Sequence, residues 1–130
     1  MSTLNILYVD DEPDIREVAQ LSLQLDPDIA CHVVDSGTKA IEGLREQQWS
    51  PDLILLDVMM PAMDGPTTLA TLRTLPAHAE TPVVFMTARA QGFEKERLLG
   101  LGAVAVIPKP FDPMNLAKEL RAIYRTCTAA

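Results

Sequence analysis

Cysteine is scarce in this chain. Cys31 and Cys127 stand far apart, without the spacing of a metal-ligand pair or a disulfide framework, and both are read as unpaired thiols. No apolar run is long enough to cross a bilayer. The first residues, Met1 to Asn5, lack the basic region and cleavage pattern of a secretory signal, so the expected location is cytoplasmic, with no membrane partner. Positive charge is also short. Eleven Lys and Arg stand against 18 Asp and Glu, a net charge of −7, which disfavours direct nucleic-acid binding because that affinity comes from neutralised phosphates. The one basic stripe, Lys118, Arg121 and Arg125, reads as a solvated helix face. A glycine-rich phosphate loop of the Walker type is missing, so the chain is not expected to bind a nucleotide. What remains is 130 residues, 48% hydrophobic: enough for a single domain over residues 1–130, and too apolar for disorder.

What is present is an alternation of short apolar runs with helical patterns. Leu4 to Val9 reads as a strand ending on Asp10-Asp11-Glu12. Pro13 suits the first turn of a helix whose apolar face is Ile15, Val18, Leu21, Ser22 and Leu25. Asp26-Pro27-Asp28 breaks it, and Ile29 to Val34 is a second strand. A second helix opens at Asp35-Ser36-Gly37, is marked by Ala40, Ile41, Leu44 and Gln48, and has Trp49 near its end. Leu53-Ile54-Leu55-Leu56 has no polar alternation and reads as a strand buried on both faces, ending on Asp57. Gly65-Pro66 opens a helix through about Leu75, with Leu69, Leu72 and Leu75 inward. Val83 to Met86 is a fourth strand, ending on Thr87. A fourth helix covers roughly Gln91 to Leu99, with only Phe93 and Leu98 as apolar points, and is expected to be the least firmly packed. Ala103 to Ile107 is the fifth strand, followed by Pro108-Lys109-Pro110-Phe111. Asp112 caps the last helix with Pro113 at its first position; Leu116, Leu120 and Ile123 face inward, and Thr126 to Ala130 form a tail.

Five such strand–helix repeats imply an α/β fold: a doubly wound, five-stranded parallel sheet covered on both faces. Right-handed crossovers favour the strand order 2-1-3-4-5, which sets strands 1 and 3 side by side at the switch point. Asp10, Asp11, Asp57, Thr87 and Lys109 then all lie at the carboxyl edge of the sheet, where such folds bind ligands. Taken alone, Asp57 reads equally as a turn residue or a chemical one. Clustered carboxylates demand a cation, and an open all-oxygen site suits Mg²⁺ better than a closed calcium cage. Lys109 adds a mobile point charge and Thr87 a hydroxyl. These are the requirements for passing a phosphoryl group to a carboxylate. His32, within strand 2, reads as a packed strand residue, and His78 as a solvated loop residue.

Val9-Asp10-Asp11-Glu12, Asp57 with Met60-Pro61 and Met63-Asp64-Gly65, Met86-Thr87-Ala88-Arg89 and Pro108-Lys109-Pro110-Phe111 together resemble the receiver domain of bacterial two-component response regulators. The resemblance implies a flavodoxin-like fold of five βα units and a signalling switch rather than an enzyme. It implies that Asp57 is the phosphoacceptor, charged from a histidine on a sensor kinase or phosphotransfer protein. Asp10, Asp11, Asp57 and the backbone carbonyl of Met59 would hold Mg²⁺, and Thr87 and Lys109 would contact the phosphoryl group. It also implies a cis peptide between Lys109 and Pro110, a downstream effector on the face of helix 4, strand 5 and helix 5, and possible homodimerisation on phosphorylation. One departure stands out: Val106 occupies the position, three before the lysine, where many receivers carry a switching aromatic. Met59 and Arg89, two beyond Asp57 and Thr87, are expected to hinder attack of water on the phosphoryl group. No output domain is expected within these residues. Two other readings compete: a phosphate-independent binding module on the same fold, and a phosphohydrolase working through an aspartyl phosphate.

Overall fold

A computed structural model describes residues 3–128. Five parallel strands, β1 (Leu4–Val9), β2 (Ile29–Val34), β3 (Leu53–Asp57), β4 (Val83–Thr87) and β5 (Ala105–Pro108), form one sheet in the order β2-β1-β3-β4-β5. The helices α1 (Pro13–Leu23), α2 (Gly37–Arg45), α3 (Gly65–Leu72), α4 (Gly92–Gly100) and α5 (Leu116–Thr128) connect and follow the strands. The two-residue period of a strand divides the core into two layers. Leu7, Val9, Ile54, Leu56, Val83 and Phe85 face the layer closed by α2, α3 and α4. Ile6, Tyr8, Leu53, Leu55, Val84 and Met86 face the layer closed by α1 and α5. This is why β3 carries no polar alternation: both of its faces are covered, and all five residues are buried.

Local chemistry sets the helix ends. Pro13 and Pro66 sit in the first turns of α1 and α3, where a missing N–H costs nothing. The Ser36 and Asp64 side chains cap α2 and α3 by accepting from the Lys39 and Thr67 backbone amides. In α2, Gly43 is required by packing: a Cβ there would come within 2.0 Å of the Trp49 ring.

Several expectations are corrected. On α1 the buried residues are Ala19, Ser22 and Leu23, with Ile15 packed against them, while Val18, Leu21 and Leu25 are exposed. The helix carries two apolar stripes, and the sheet takes the one that also brings the Ser22 hydroxyl to donate to the Pro113 carbonyl. The third helix ends at Leu72 rather than about Leu75, because Pro76 holds Leu75 in extended backbone and opens a short 3₁₀ turn, Pro76–His78. Helix α4 buries only Leu98, in keeping with its weak pattern, and Phe93, its other apolar point, is 89% exposed. The fifth helix begins at Leu116. Asp112 to Asn115 form a turn in which the Asp112 carboxylate accepts from the Met114 amide, and its carbonyl accepts from Leu116. Thr126 to Thr128, expected as tail, are helical; Ala129 and Ala130 lie outside the described residues. The histidine readings exchange places. His32 is exposed, tilted against Trp49, and His78 is buried with its ring nitrogen 2.9 Å from the Thr81 hydroxyl. Arg121 does not simply face solvent: it reaches across to Asp26 at 2.8 Å. Among the described residues no helix is long and apolar enough to cross a membrane.

Candidate phosphoacceptor site

The sheet order brings the ends of β1, β3, β4 and β5 to one edge. Val9 pairs with Leu56, Asp57 with Met86, and Thr87 with Pro108. Asp10, Asp57 and Thr87 thus follow or end strands buried in the core, and Lys109 follows the more exposed β5. Asp10 and Asp57 are almost fully buried, and Thr87 is 6% exposed. One carboxylate oxygen from each of Asp10, Asp11, Glu12 and Asp57 lies within 4.8 Å of the others. The Lys109 ammonium enters this cluster, 2.8 Å from Asp10 Oδ2, 3.1 Å from Asp57 Oδ1 and 3.2 Å from Glu12 Oε1. Two buried oxygens, Asp57 Oδ2 and Asp11 Oδ1, have no hydrogen-bond partner among the described residues.

That arrangement shapes the protonation of the site. Burial first, and then the charge of Asp10, push the Asp57 carboxyl up to about 6, against the pull of Lys109. Burial works against the Lys109 ammonium, but its bonds to Asp10 and Asp57 outweigh this and hold it above the usual lysine range. The Thr87 Oγ1 accepts from the Arg89 amide at 3.1 Å, which leaves its own proton available to a ligand. The Lys109–Pro110 peptide is cis.

The loop after β3 is built tightly around Asp57. Gly65 donates from its amide to the Val58 carbonyl, and a Cβ at Gly65 would stand 2.5 Å from the Asp57 carbonyl oxygen. Only glycine lets α3 start this close to the site. Ala62 takes a left-handed φ of 66°, and the Met63 amide donates to the Pro61 carbonyl across it, a strained γ-turn for a residue with a Cβ. Above this floor lies a cleft of about 400 Å³ between Asp57, Thr87 and Lys109 on one side and Arg89, Glu94 and Arg97 on the other. Met59 lines it too and is 77% exposed.

The sequence-derived residues Asp10, Asp11, Asp57, Thr87 and Lys109 therefore share one edge. The sequence reading missed two participants. Glu12 joins the acidic cluster and pairs with Lys109; its place in an unbroken Asp-Asp-Glu run was the available signal. Tyr8 donates its hydroxyl to Asp10, and it looked like core because it sits in an apolar strand.

Residues 6–121 match the family model of the response regulator receiver domain. The chain belongs to that family. As a receiver domain it is 38% identical over 128 residues to the response regulator Rre1 of Synechocystis, covering 97% of this chain and 52% of Rre1. It is 34% identical over 121 residues to the transcriptional regulatory protein CseB of Streptomyces coelicolor, covering 93% of this chain and 49% of CseB. It thus spans about half the length of these curated relatives. The chemotaxis protein CheY4 of Vibrio cholerae superposes with a TM-score of 0.82 at 28% identity, over 94% of this chain and 99% of CheY4. The fold is the flavodoxin-like one of these receivers. This receiver domain is related to signalling proteins of the response regulator class.

Proposed function

We propose that this receiver domain accepts a phosphoryl group on Asp57 from a phosphohistidine of a sensor kinase or phosphotransfer protein. The observation that carries the reading is Asp57 itself, a buried carboxylate with one oxygen paired to Lys109 and the other without a partner among the described residues. An orphaned buried carboxylate oxygen is costly, and a ligand at the sheet edge would satisfy it. In the transfer, the donor's P–N bond breaks with its electron pair remaining on the imidazole, and a P–O bond forms to Asp57.

The unpartnered Asp11 and Asp57 oxygens and the all-oxygen donor set fit a small hard dication. Asp10, Asp11, Asp57 and the Met59 carbonyl would hold Mg²⁺, which when bound offsets negative charge building on the phosphoryl oxygens. The chain's own residues do the rest. Lys109 moves its ammonium from the carboxylates toward the phosphoryl oxygens, and the Thr87 hydroxyl donates to one of them. Met59 and Arg89 line the cleft and hinder water in line with the P–O bond, which favours a long-lived phosphoprotein. The added charge biases α4, β5 and α5, the face that an effector protein or a second copy would read. The setting for such a relay is the cytoplasm.

Intact mass measured with a small acyl phosphate tests the assignment. The expected result is one phosphoryl increment with Mg²⁺, none in chelator, and none on Asp57→Asn. A full adduct on Asp57→Asn would overturn it.

A further inference from the structure

Asp10 has no exposed surface, yet its carboxylate receives three donors. The Lys109 ammonium and the Tyr8 hydroxyl both reach Oδ2, at 2.8 Å and 2.5 Å, and the Glu12 amide reaches Oδ1 at 2.9 Å. The three are not equivalent. Lys109 is shared with Asp57 and Glu12, and its ammonium is drawn to any anion that arrives at Asp57. The Glu12 amide belongs to the backbone leading into α1. Tyr8 stands in β1 two residues before Asp10, with its ring fully buried in the layer under α1 and α5. Besides Asp10, the hydroxyl's one other hydrogen-bond partner among the described residues is the Met86 sulfur, a weak acceptor at 3.7 Å. The hydroxyl is buried and is the donor of its pair with the Asp10 carboxylate oxygen.

We propose that Tyr8 is a positioning residue for the metal, its hydroxyl fixing the Asp10 carboxylate toward Asp11 and Asp57 when Lys109 leaves. This rests on the Mg²⁺ reading of the site. An ionised carboxylate offers about four lone-pair directions, and three are taken here. Departure of Lys109 opens one beside the direction already free. With Tyr8 and Glu12 still donating, one to each oxygen, the group cannot swing after the lysine. Without the hydroxyl, Oδ2 loses its only remaining donor and the carboxylate is anchored at a single point.

Tyr8→Phe removes one atom and keeps the ring. Calorimetric titration of the unphosphorylated chain with Mg²⁺ should show about tenfold weaker binding, the size expected for loss of a partner that orients a metal ligand. In phosphorylation by a small acyl phosphate, half-saturating Mg²⁺ should rise by a similar factor while the plateau rate at saturating Mg²⁺ stays at the parental value. Met86→Leu disturbs the same packing but keeps the hydroxyl bond, and its Mg²⁺ affinity should be unchanged. An unchanged or tighter affinity in Tyr8→Phe, a lowered plateau, or an equal loss in Met86→Leu would overturn the positioning role. If the parent itself takes up no Mg²⁺, the metal reading of the site fails instead.

Discussion

At Asp57 the protein buries a carboxylate beside another carboxylate, and the cost is written into its acidity. The group titrates near 6 in the fold against an ordinary value of 3.8. Between those values the folded chain holds a proton that the unfolded chain has released, so raising the pH draws stability away from the fold. In metal-free buffer, Asp57→Asn should therefore gain on the parent as pH rises from about 4 to about 7, by on the order of 2 kcal/mol at the upper end. Denaturant melts in chelator across that range check it; a constant difference would contradict the assigned environment. The same residue shows why much of the site was legible in sequence. Asp10, Asp57 and Thr87 are polar groups ending apolar strands, and parallel strands carry such ends to one edge. Tyr8 was not legible in that way. An aromatic in an apolar run reads as core, and only its even spacing from Asp10 places both side chains on one face of β1.

At the scale of single elements, legibility followed how many solutions a pattern allowed. The continuous apolar runs of β3 and β4 admit only burial on both faces, and both strands are wholly buried. Helix α1 admits two, since Ile15–Ala19–Ser22–Leu23 and Val18–Leu21–Leu25 are both stripes at helical spacing, and periodicity cannot rank them. The end of α3 was readable from Pro76 once the extended backbone it forces on Leu75 is considered. The loop between β3 and α3 carries a different kind of information. Ala62 is held at φ 66°, where a Cβ costs about 1–2 kcal/mol, while glycine adds about 0.5–1 kcal/mol of unfolded-chain freedom. Ala62→Gly should therefore stabilise the domain by roughly 0.5–1 kcal/mol. A shift of the denaturation midpoint to higher urea, with unchanged slope, is the expected reading; a shift to lower urea would show that the turn carries no strain.

For the whole molecule, the order of strands is also an order of shelter. Every residue of β3 and β4, and all but one of β1, is buried, whereas β5 is mostly half-exposed or exposed and α4 rests on Leu98 alone. Shelter sets how a backbone amide meets deuterium: through local opening where contacts are few, through global unfolding where they are many. Hydrogen exchange followed by mass spectrometry should find β1, β3 and β4 slowest and the α4–β5 segment faster by orders of magnitude, with uniform rates as the contrary result. The gradient of burial is then a gradient in time. The backbone of β1, β3 and β4, which carries Asp10, Asp57 and Thr87, would open only with global unfolding, whereas α4 and β5, which leads into Lys109, would open locally and far more often. A face on that faster schedule can sample a second arrangement before any charge arrives, so that the charge has only to choose between arrangements already visited.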